Sequence, residues 1–386
     1  MENINTLVVG GGFGGIAAAL RCKAMGHNVT IIDKLSKLGG RAQVIERNGY
    51  KYDTGPTVIT APFLIEELFN LFNEKLSDHL EFKPLDPWYR FHFHDSTTFD
   101  YSSTVEETKK EISKFSPEDA KSYDNLLKES EKIFDIGFTK LSDQPFTSFW
   151  TMIKQIPYLL KLKSYESVSK MVSRHIKNKN IRSAFSIHPL LVGGNPYTTT
   201  SIYSLIHFLE RKWGVFFCMG GTGKLVEELT NLMKRNDINI ETNKNLKSVE
   251  HKDSVAYKAI TECGKEYKFD NLIFNGDPPV FYKEILKPAS RNFLNPIFPA
   301  KSLSYSMGLF VLFFGTKTRY EEIAHHTIWL TERFKDLLHD IFEKRIITED
   351  FSLYLHRPTA TDKSFAPDGH DSFYVLCPVP NLKNNI

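Results

Sequence analysis

A glycine-rich turn near the amino terminus constrains the fold of this chain more than any other feature. An apolar segment, Asn5 to Val9, leads directly into Gly10-Gly11-Gly12-Phe13-Gly14-Gly15 and then into a helix-forming run from Ile16 to Met25. This order predicts a strand, a tight turn and a helix whose N–H groups and positive dipole end favour a phosphate. The candidate phosphate-binding residues are Gly10, Gly12, Phe13, Gly14 and Gly15.

A second clamp for a dinucleotide follows within a few residues. The apolar strand Asn28 to Ile32 ends at Asp33, whose carboxylate is placed to accept a hydrogen bond from an unphosphorylated ribose, and Lys34 follows it. Gly39 and Gly40 then allow close backbone approach to a ligand, and Arg41 adds a planar cation suited to phosphate oxygens. A nicotinamide-dependent reductase, the alternative at this point, has no general need for this second clamp.

These motifs together resemble those of a known family. Gly10 to Gly15, Asp33, Gly39 to Ala42 and Asp53 to Thr60 are similar to the FAD-binding start of the bacterial-type phytoene desaturases, a carotenoid branch of the amine-oxidase-like flavoproteins. The likeness covers nearly the whole chain. It continues in Pro87–Arg90, Ala184–Ser186, Leu190–Pro196, Ser201–Tyr203, Leu209–Val215, Gly220–Gly223, Leu309–Gly315, Ala324–Thr327, Glu349–His356 and Phe373–Leu376.

The resemblance implies FAD as cofactor and extends the set of binding residues. It adds Gly55, Pro56, Thr57 and Val58, and it places backbone atoms of Val249 at the adenine end. Members of the family usually continue well beyond the position of Ile386 and close with a glycine-rich segment beside the flavin ring. We therefore expect this chain to be a C-terminally incomplete member.

The predicted fold class is α/β with two domains. A discontinuous Rossmann-like FAD-binding domain is expected at residues 1–75 and 216–286, and a mixed α+β substrate domain at 76–215 and 287–386, of which 115–185 is mainly helical. Within the returning half of the first domain, the pattern predicts a helix from Lys224 to Arg235 and strands at Ile238 to Glu241, Leu246 to Glu250 and Asn271 to Phe274.

Composition is that of an ordinary folded protein. Hydrophobic residues make up 41% and charged residues 25%, which excludes a disordered chain and an integral membrane protein. Positive and negative residues nearly balance, and the net charge of +3 is too small to indicate a nucleic-acid partner. The cysteines, Cys22, Cys218, Cys263 and Cys377, form no C-x-x-C pair, so a reducing, cytoplasmic location is expected.

One segment combines apolar and cationic residues in a way that suits a membrane surface. Phe146 to Lys179 interleaves aromatic and aliphatic side chains with lysines and Arg174. An amphipathic helix packed on the protein's own core is the alternative. Because the family's substrate is a polyene hydrocarbon that is insoluble in water, peripheral membrane attachment is favoured.

Other motifs are weaker, and no metal site is predicted. Gly220 to Lys224 suggests a nucleotide-triphosphate loop, but Leu225 replaces the required Ser or Thr. His92 and His94 share one strand face without a carboxylate or thiolate partner, so solvated histidines are expected. His325 and His326 are adjacent, so their side chains should diverge and form no simple chelate.

The resemblance implies redox chemistry on a hydrocarbon. One hydrogen would leave as hydride to flavin N5 and the other as a proton, with a quinone or oxygen as the final electron acceptor. No carboxylate is singled out by its spacing, so the catalytic residues stay unassigned. The alternatives within the superfamily are a carotene isomerase, a carotenoid oxidase and a shorter-chain desaturase; the alternative of another class is a catalytically incompetent carotenoid-binding fragment.

Overall fold

The chain forms two compact units. The structure, a computed structural model, describes residues 4–140, 149–252, 255–286 and 305–382. The first unit comprises Met1–Lys83 and Phe217–Ser304, and the second comprises Pro84–Phe216 and Tyr305–Ile386. The assignment of FAD binding to one region and substrate binding to the other, with boundaries at 75, 215 and 286, stays a prediction.

The elements of the described residues are numbered in chain order. The strands are β1 Asn5–Val9, β2 Asn28–Ile32, β3 Val44–Arg47, β4 Tyr50–Asp53, β5 Phe82–Pro84, β6 Tyr89–Phe93, β7 Thr98–Tyr101, β8 Phe216–Cys218, β9 Asn239–Glu241, β10 Leu246–Lys252, β11 Val255–Thr261, β12 Glu266–Lys268, β13 Asn271–Phe274, β14 Gly308–Thr316, β15 His326–Leu330, β16 Leu353–His356 and β17 Asp371–Val379. The helices are α1 Phe13–Ala24, α2 Phe63–Asn70, α3 Val105–Ser113, α4 Pro117–Gly137, α5 Phe149–Lys161, α6 Val168–His175, α7 Lys179–Phe185, α8 Leu205–Trp213, α9 Gly221–Arg235, α10 Pro278–Val280 and α11 Phe334–His339. Short 3₁₀ or π turns lie at Leu76–Asp78, His188–Val192, Ser201–Ser204, Phe281–Ile285, Asp340–Lys344, Pro358–Ala360 and Lys363–Phe365.

A parallel sheet with the strand order β13-β1-β2-β9 forms the centre of the first unit. Along β1 the side chains alternate between the two faces of the sheet. Val8 belongs to a core formed with α1 and α9, whereas Leu7 and Val9 belong to a core formed with the antiparallel strands β10 to β12. Both faces are thus covered, which explains why β1 reads as a continuous apolar run rather than as an alternating one.

The elements that the sequence predicts in this unit are confirmed. The strands Asn5–Val9, Asn28–Ile32 and Asn271–Phe274 have the predicted bounds. Helix α1 begins three residues earlier than predicted, at Phe13, because Gly12 is extended and already serves as the N-cap. Helix α9 likewise begins at Gly221 rather than at Lys224.

The second unit is built on a six-stranded mixed sheet with the order β14-β17-β16-β15-β6-β7. β15 and β6 are parallel, and the other neighbours are antiparallel. Between β7 and β8 the described chain is mainly helical, as predicted for 115–185. Aromatic side chains fill much of the core between this sheet and the helices, among them Phe91, Phe99, Tyr101, Tyr123 and Phe185.

The predicted membrane-contact segment includes α5. Its Phe146 and the side chains of Phe149, Trp150 and Lys154 lie outside the described residues. Pro157 interrupts the backbone hydrogen bonding inside this helix. Among the described helices, none is both long enough and apolar enough to cross a bilayer.

Candidate functional site

The predicted phosphate loop lies at the carboxyl end of β1. Gly10 has a φ of 97° and donates its N–H to the carbonyl of Ile32 at 2.8 Å, which turns the chain out of the strand. Gly12 caps α1 without any side-chain hydrogen bond to the first turn, and the first helical bond runs from Ile16 N to Gly12 O at 2.9 Å. The N–H groups that open α1 are therefore not capped by a side chain, which is the arrangement that binds phosphate.

Close packing of the backbone explains the glycine at the end of the motif. A Cβ atom built on Gly15 would lie 1.9 Å from the carbonyl oxygen of Gly10, so a larger residue cannot occupy this position without moving the strand or the helix. A Cβ atom on Gly12 would instead have the amide of Asn275 as its nearest neighbour, at 3.3 Å. Gly15 is required by the fold, whereas a methyl group on Gly12 would press mainly on the end of the Asn275 side chain.

The second predicted clamp packs directly against the first. The N–H of Gly39 donates to the carbonyl of Gly11 at 2.7 Å, and a Cβ atom on Gly40 would lie 3.1 Å from the Cα of Gly12. Arg41 follows on the surface, with its guanidinium exposed. The structure thus brings together two glycine motifs that lie about 25 residues apart in the chain, leaving one continuous stretch of bare backbone.

Asp33 holds the phosphate loop in place. Its carboxylate is 5% exposed and accepts hydrogen bonds from Gly11 N at 2.6 Å and from Leu35 N at 2.7 Å. The sequence predicts a ribose hydroxyl as its partner, and the partners present are two backbone N–H groups of the same chain. Each carboxylate oxygen keeps a second lone pair, so the ribose role stays a prediction beside this structural one. Lys34 is exposed next to it.

The segment from Gly55 to Val58 lies beside the second clamp. A Cβ atom on Gly55 would lie 2.6 Å from the carbonyl oxygen of Arg41, so the two segments are in close contact. Pro56 is exposed, Thr57 is buried, and the carbonyl of Pro56 accepts a hydrogen bond from Thr222 Oγ1 at 2.9 Å. These residues therefore border the same stretch of backbone, as expected if all of them line one ligand.

Two positions near the site, Asn275 and Asp53, are not among the binding residues predicted from the sequence. Asn275 follows β13, which pairs in register with β1, and its Nδ2 donates to the carbonyl of Gly10 at 3.3 Å. The buried carboxylate of Asp53 accepts from the N–H of Thr222 at 3.1 and 3.2 Å and so occupies the amino terminus of α9. This second contact gives a structural reason why Gly220 to Lys224 is not a phosphate loop.

Val249 lies away from the surface, in the core on the other face of the sheet. It is fully buried in β10, pairs with Ala259 of β11 and shares a core with Ile32, the residue before Asp33. Its side chain is thus part of the packing, and the predicted backbone contact with adenine stays a prediction.

Comparisons with known proteins now decide the family. The family of flavin containing amine oxidoreductases matches residues 13–370. The lycopene-forming phytoene desaturase of Pseudescherichia vulneris is 41% identical over 381 residues, which is 98% of this chain and 77% of the relative. The chain belongs to the flavin containing amine oxidoreductases. This confirms the resemblance and the FAD cofactor predicted from the sequence.

Further relatives are similar over the same span. The lycopene-forming phytoene desaturase of Pantoea ananas is 40% identical, covering 98% of this chain and 76% of the relative. The neurosporene-forming phytoene desaturase of Cereibacter sphaeroides is 34% identical, covering 98% and 73%. The chain thus spans about three quarters of the length of these relatives.

Solved structures confirm the α/β fold class. A protein of Pyrococcus furiosus superposes with a TM-score of 0.66 at 18% identity, covering 99% of this chain and 82% of that one. Putrescine oxidase bound to putrescine gives a TM-score of 0.61 at 11% identity, with coverage of 98% and 76%. At these identities the likeness concerns the fold alone.

The phosphate loop of this family member fits the ADP half of FAD. Three observations carry the fit: the uncapped start of α1, the bare backbone shared by Gly12 and Gly40, and the buried carboxylate at the end of β2. Backbone N–H groups bind a pyrophosphate, and the start of α1 supplies them; the contact of Asp33 with the ribose stays a prediction.

The second unit contains a buried polar network that the sequence analysis did not single out. Glu210 is fully buried and accepts hydrogen bonds from the hydroxyl of Tyr89 at 2.8 Å and from His188 Nε2 at 3.0 Å. Burial, reinforced by the Glu210 carboxylate, raises the pKa of Tyr89 well above its ordinary value. Because Glu210 is enclosed on all sides, it positions Tyr89 and His188 rather than reaching a substrate.

A cavity of about 470 Å³ in the second unit has a mixed lining. Cations from α6, α7 and α11 contribute to its walls together with serine and threonine hydroxyls and the carboxylate of Glu332. Apolar and aromatic side chains also line it, namely Phe93, Tyr197, Leu330 and Phe334. The cationic lining residues are Lys170, Lys179, Arg182 and Lys335.

Proposed function

We propose that this chain is an FAD-dependent desaturase that converts phytoene to more unsaturated carotenes, such as lycopene. The observation that carries the proposal is the 41% identity to a lycopene-forming phytoene desaturase over 98% of the chain. The geometry of the phosphate loop supports the cofactor half of the proposal.

The chemistry divides between the cofactor and the chain. FAD, when bound, supplies the oxidant that takes up a hydride from the hydrocarbon. Backbone N–H groups at the start of α1 would hold the pyrophosphate, and Gly12 and Gly40 would keep side chains away from it. Exposed apolar residues on β14, Leu309, Phe310 and Leu312, are of the kind that a lipid-soluble substrate covers.

Anaerobic reduction of the flavin by phytoene tests this function. The purified chain, loaded with FAD, is mixed with phytoene in liposomes without oxygen, and the flavin absorbance is followed over time. The carotenes are then separated, and their masses are determined by mass spectrometry. We expect bleaching of the flavin band and products lighter by two hydrogens per step. Quinone or oxygen added afterwards should restore the band, and the faster of the two is the acceptor.

The products distinguish the alternatives. An isomerase would leave the mass unchanged, and an oxidase would add oxygen. An FAD-loaded chain whose flavin is not bleached and whose phytoene is unchanged would contradict the proposal and favour a carotenoid-binding protein without catalysis. The Gly12→Ala variant is the matched control, because it should fold, retain no flavin and leave phytoene unchanged.

We further propose that the protein acts at the cytoplasmic surface of a membrane. Exposed apolar side chains on α5 support this, since Ile156 is 46% and Leu160 61% exposed, so neither lies in a core. Lys161 and Lys163 are exposed directly after them. An apolar face bordered by cations suits the headgroup layer of an anionic membrane.

Flotation with vesicles tests the membrane proposal. The chain and the double variant Ile156→Ser, Leu160→Ser are mixed with vesicles that contain anionic lipid. We expect the double variant to lose about tenfold in partitioning, because two apolar side chains no longer enter the lipid. Val255→Ser, an exposed apolar position in the first unit, is the control and should change nothing. Equal flotation of the double variant and the unaltered chain would contradict attachment through α5.

A further inference from the structure

Three buried histidines of the second unit lie together. His325 precedes β15, His326 begins it, and His356 ends the neighbouring strand β16, where it pairs with His326. One nitrogen atom from each ring can be chosen so that all three lie within 4.8 Å of one another. The prediction that His325 and His326 diverge was wrong, because His325 lies before the strand and does not follow its alternation; their ring centroids are 4.6 Å apart.

The outer ring nitrogens of two of these histidines are held by hydroxyl groups. The hydroxyl of Tyr354 lies 2.7 Å from His326 Nδ1, and Thr361 Oγ1 lies 2.7 Å from His325 Nδ1. With Nδ1 occupied in this way, Nε2 is the nitrogen that each of these two rings keeps for a metal. A metal-binding histidine has this arrangement, with one nitrogen on the metal and the other hydrogen-bonded to an orienting group.

The inner nitrogens are crowded and incompletely satisfied. His325 Nε2 and His356 Nε2 are 3.0 Å apart. His326 Nε2 is buried and has no hydrogen-bond partner. A buried nitrogen without a partner costs about 1 to 3 kcal/mol, so an occupant that accepts its lone pair would be stabilising.

The three imidazoles are buried, between 0% and 5% exposed. Neutral imidazole is the form that binds a metal.

From this geometry we infer that His325, His326 and His356 form a zinc site, with Nε2 of each ring as ligand and a hydroxide or water as the fourth. Three histidines and one solvent position are an established tetrahedral coordination for Zn²⁺, with Zn–N distances of about 2.0 to 2.1 Å and ligands about 3.4 Å apart. The observed separations of 3.0 to 4.8 Å bracket that spacing, so side-chain shifts of about 1 Å complete the site.

The neighbouring cation Arg357 is paired with a carboxylate, which limits its repulsion of a metal ion. Arg357, next to His356, is buried against Asp371, with Nε 3.1 Å from Oδ2, so its own charge is already compensated. A hydroxide ligand reduces the net charge of the site to +1. The ion would tie the start of β15 to the end of β16, a structural role that does not depend on the proposed desaturase activity.

Zinc binding to the purified full-length chain tests the inference. After treatment with a chelator and dialysis, the chain is titrated with ZnSO₄ and, separately, with CoCl₂. We expect one Zn²⁺ per chain, a rise in melting temperature, and a Co²⁺ absorption band of the intensity given by four-coordinate cobalt. Less than one equivalent of Zn²⁺ bound, or a cobalt spectrum of the free octahedral ion, would overturn the inference.

Three variants locate the site. His326→Gln should lower the zinc affinity at least a hundredfold. Tyr354→Phe, which removes only the orienting hydroxyl, should lower it about tenfold. His94→Gln is the control, because this histidine is exposed at the end of β6 and should have no effect. Unchanged affinity in His326→Gln would overturn the inference; if that variant does not fold, equal affinities of Tyr354→Phe and His94→Gln would do so.

Discussion

The two units of this protein differ in how their chemistry is encoded. In the first unit, the candidate site consists of backbone, and its residues come from short continuous motifs such as Gly10 to Gly15. In the second unit, polar side chains far apart in the chain meet in the interior: Tyr89 and Glu210 are 121 residues apart, and His325 and His356 are 31 apart. Local motifs therefore reveal the cofactor, while the chemistry of the second unit becomes visible only in the folded chain.

The largest expected effect separates folding from binding within the glycine motif. Gly15→Ala should destabilise the first unit by about 3 kcal/mol or more, because its Cβ would lie 1.9 Å from the Gly10 carbonyl oxygen. Gly12→Ala should change stability by less than about 1 kcal/mol and yet abolish FAD binding, because its methyl group would occupy ligand space. Urea unfolding and FAD titration measure the two effects; a stable Gly15→Ala variant would contradict the packing argument.

Asp33 should matter for the fold as well as for the ligand. Asp33→Asn should cost about 2 kcal/mol, because the amide has only one oxygen for the two N–H groups of Gly11 and Leu35. We expect weaker FAD binding in addition. Thermal unfolding without FAD isolates the structural effect, and an unchanged melting temperature would show that Asp33 acts on the ribose alone.

His207 makes the second unit sensitive to acid. Burial, followed by the nearby His188 and Arg211, lowers the pKa of His207 well below its ordinary value. The unfolded chain, with a histidine pKa of about 6.5, then binds more protons than the folded chain, so stability is present above about pH 6.5 and falls as the pH is lowered.

The loss assigned to His207 should be about 2 kcal/mol between pH 7 and pH 5. Chelator is included so that metal binding does not contribute. Tyr101, whose hydroxyl lies 3.0 Å from His207 Nδ1, and Tyr123, whose ring contacts it, are the other titratable neighbours, and both keep their protons in this range because burial raises their pKa. Comparison of the wild type with His207→Gln isolates the contribution; parallel pH profiles of the two proteins would contradict it.

The smallest effect concerns one hydrogen bond of the second unit. Tyr89→Phe removes the hydroxyl that donates to Glu210, and we expect a loss of about 1 kcal/mol in the free energy of unfolding. Tyr158→Phe is the matched control, because this tyrosine is exposed and should have no effect. An unchanged free energy of unfolding in Tyr89→Phe would show that the other partners of Glu210 satisfy its hydrogen-bonding capacity.

The sequence was sufficient for the framework of the first unit. Apolar periodicity and glycine spacing predicted β1, β2, β13 and the start of α1 to within a few residues, because these features depend on neighbours in the chain. Asn275 was not assigned to the phosphate loop because its position follows from the register of β13 against β1, which no local pattern contains. The histidine cluster was missed for the same reason, since it depends on the register of β15 with β16.

Backbone rather than side chains is expected to hold the pyrophosphate of FAD in the first unit. The most direct test is the absorbance spectrum of the purified chain after incubation with FAD and gel filtration, alongside Gly12→Ala. We predict one retained flavin per wild-type chain and none in the variant, with both proteins folded. A folded wild-type chain that retains no flavin, or a Gly12→Ala chain that retains it equally, would contradict FAD binding by this backbone.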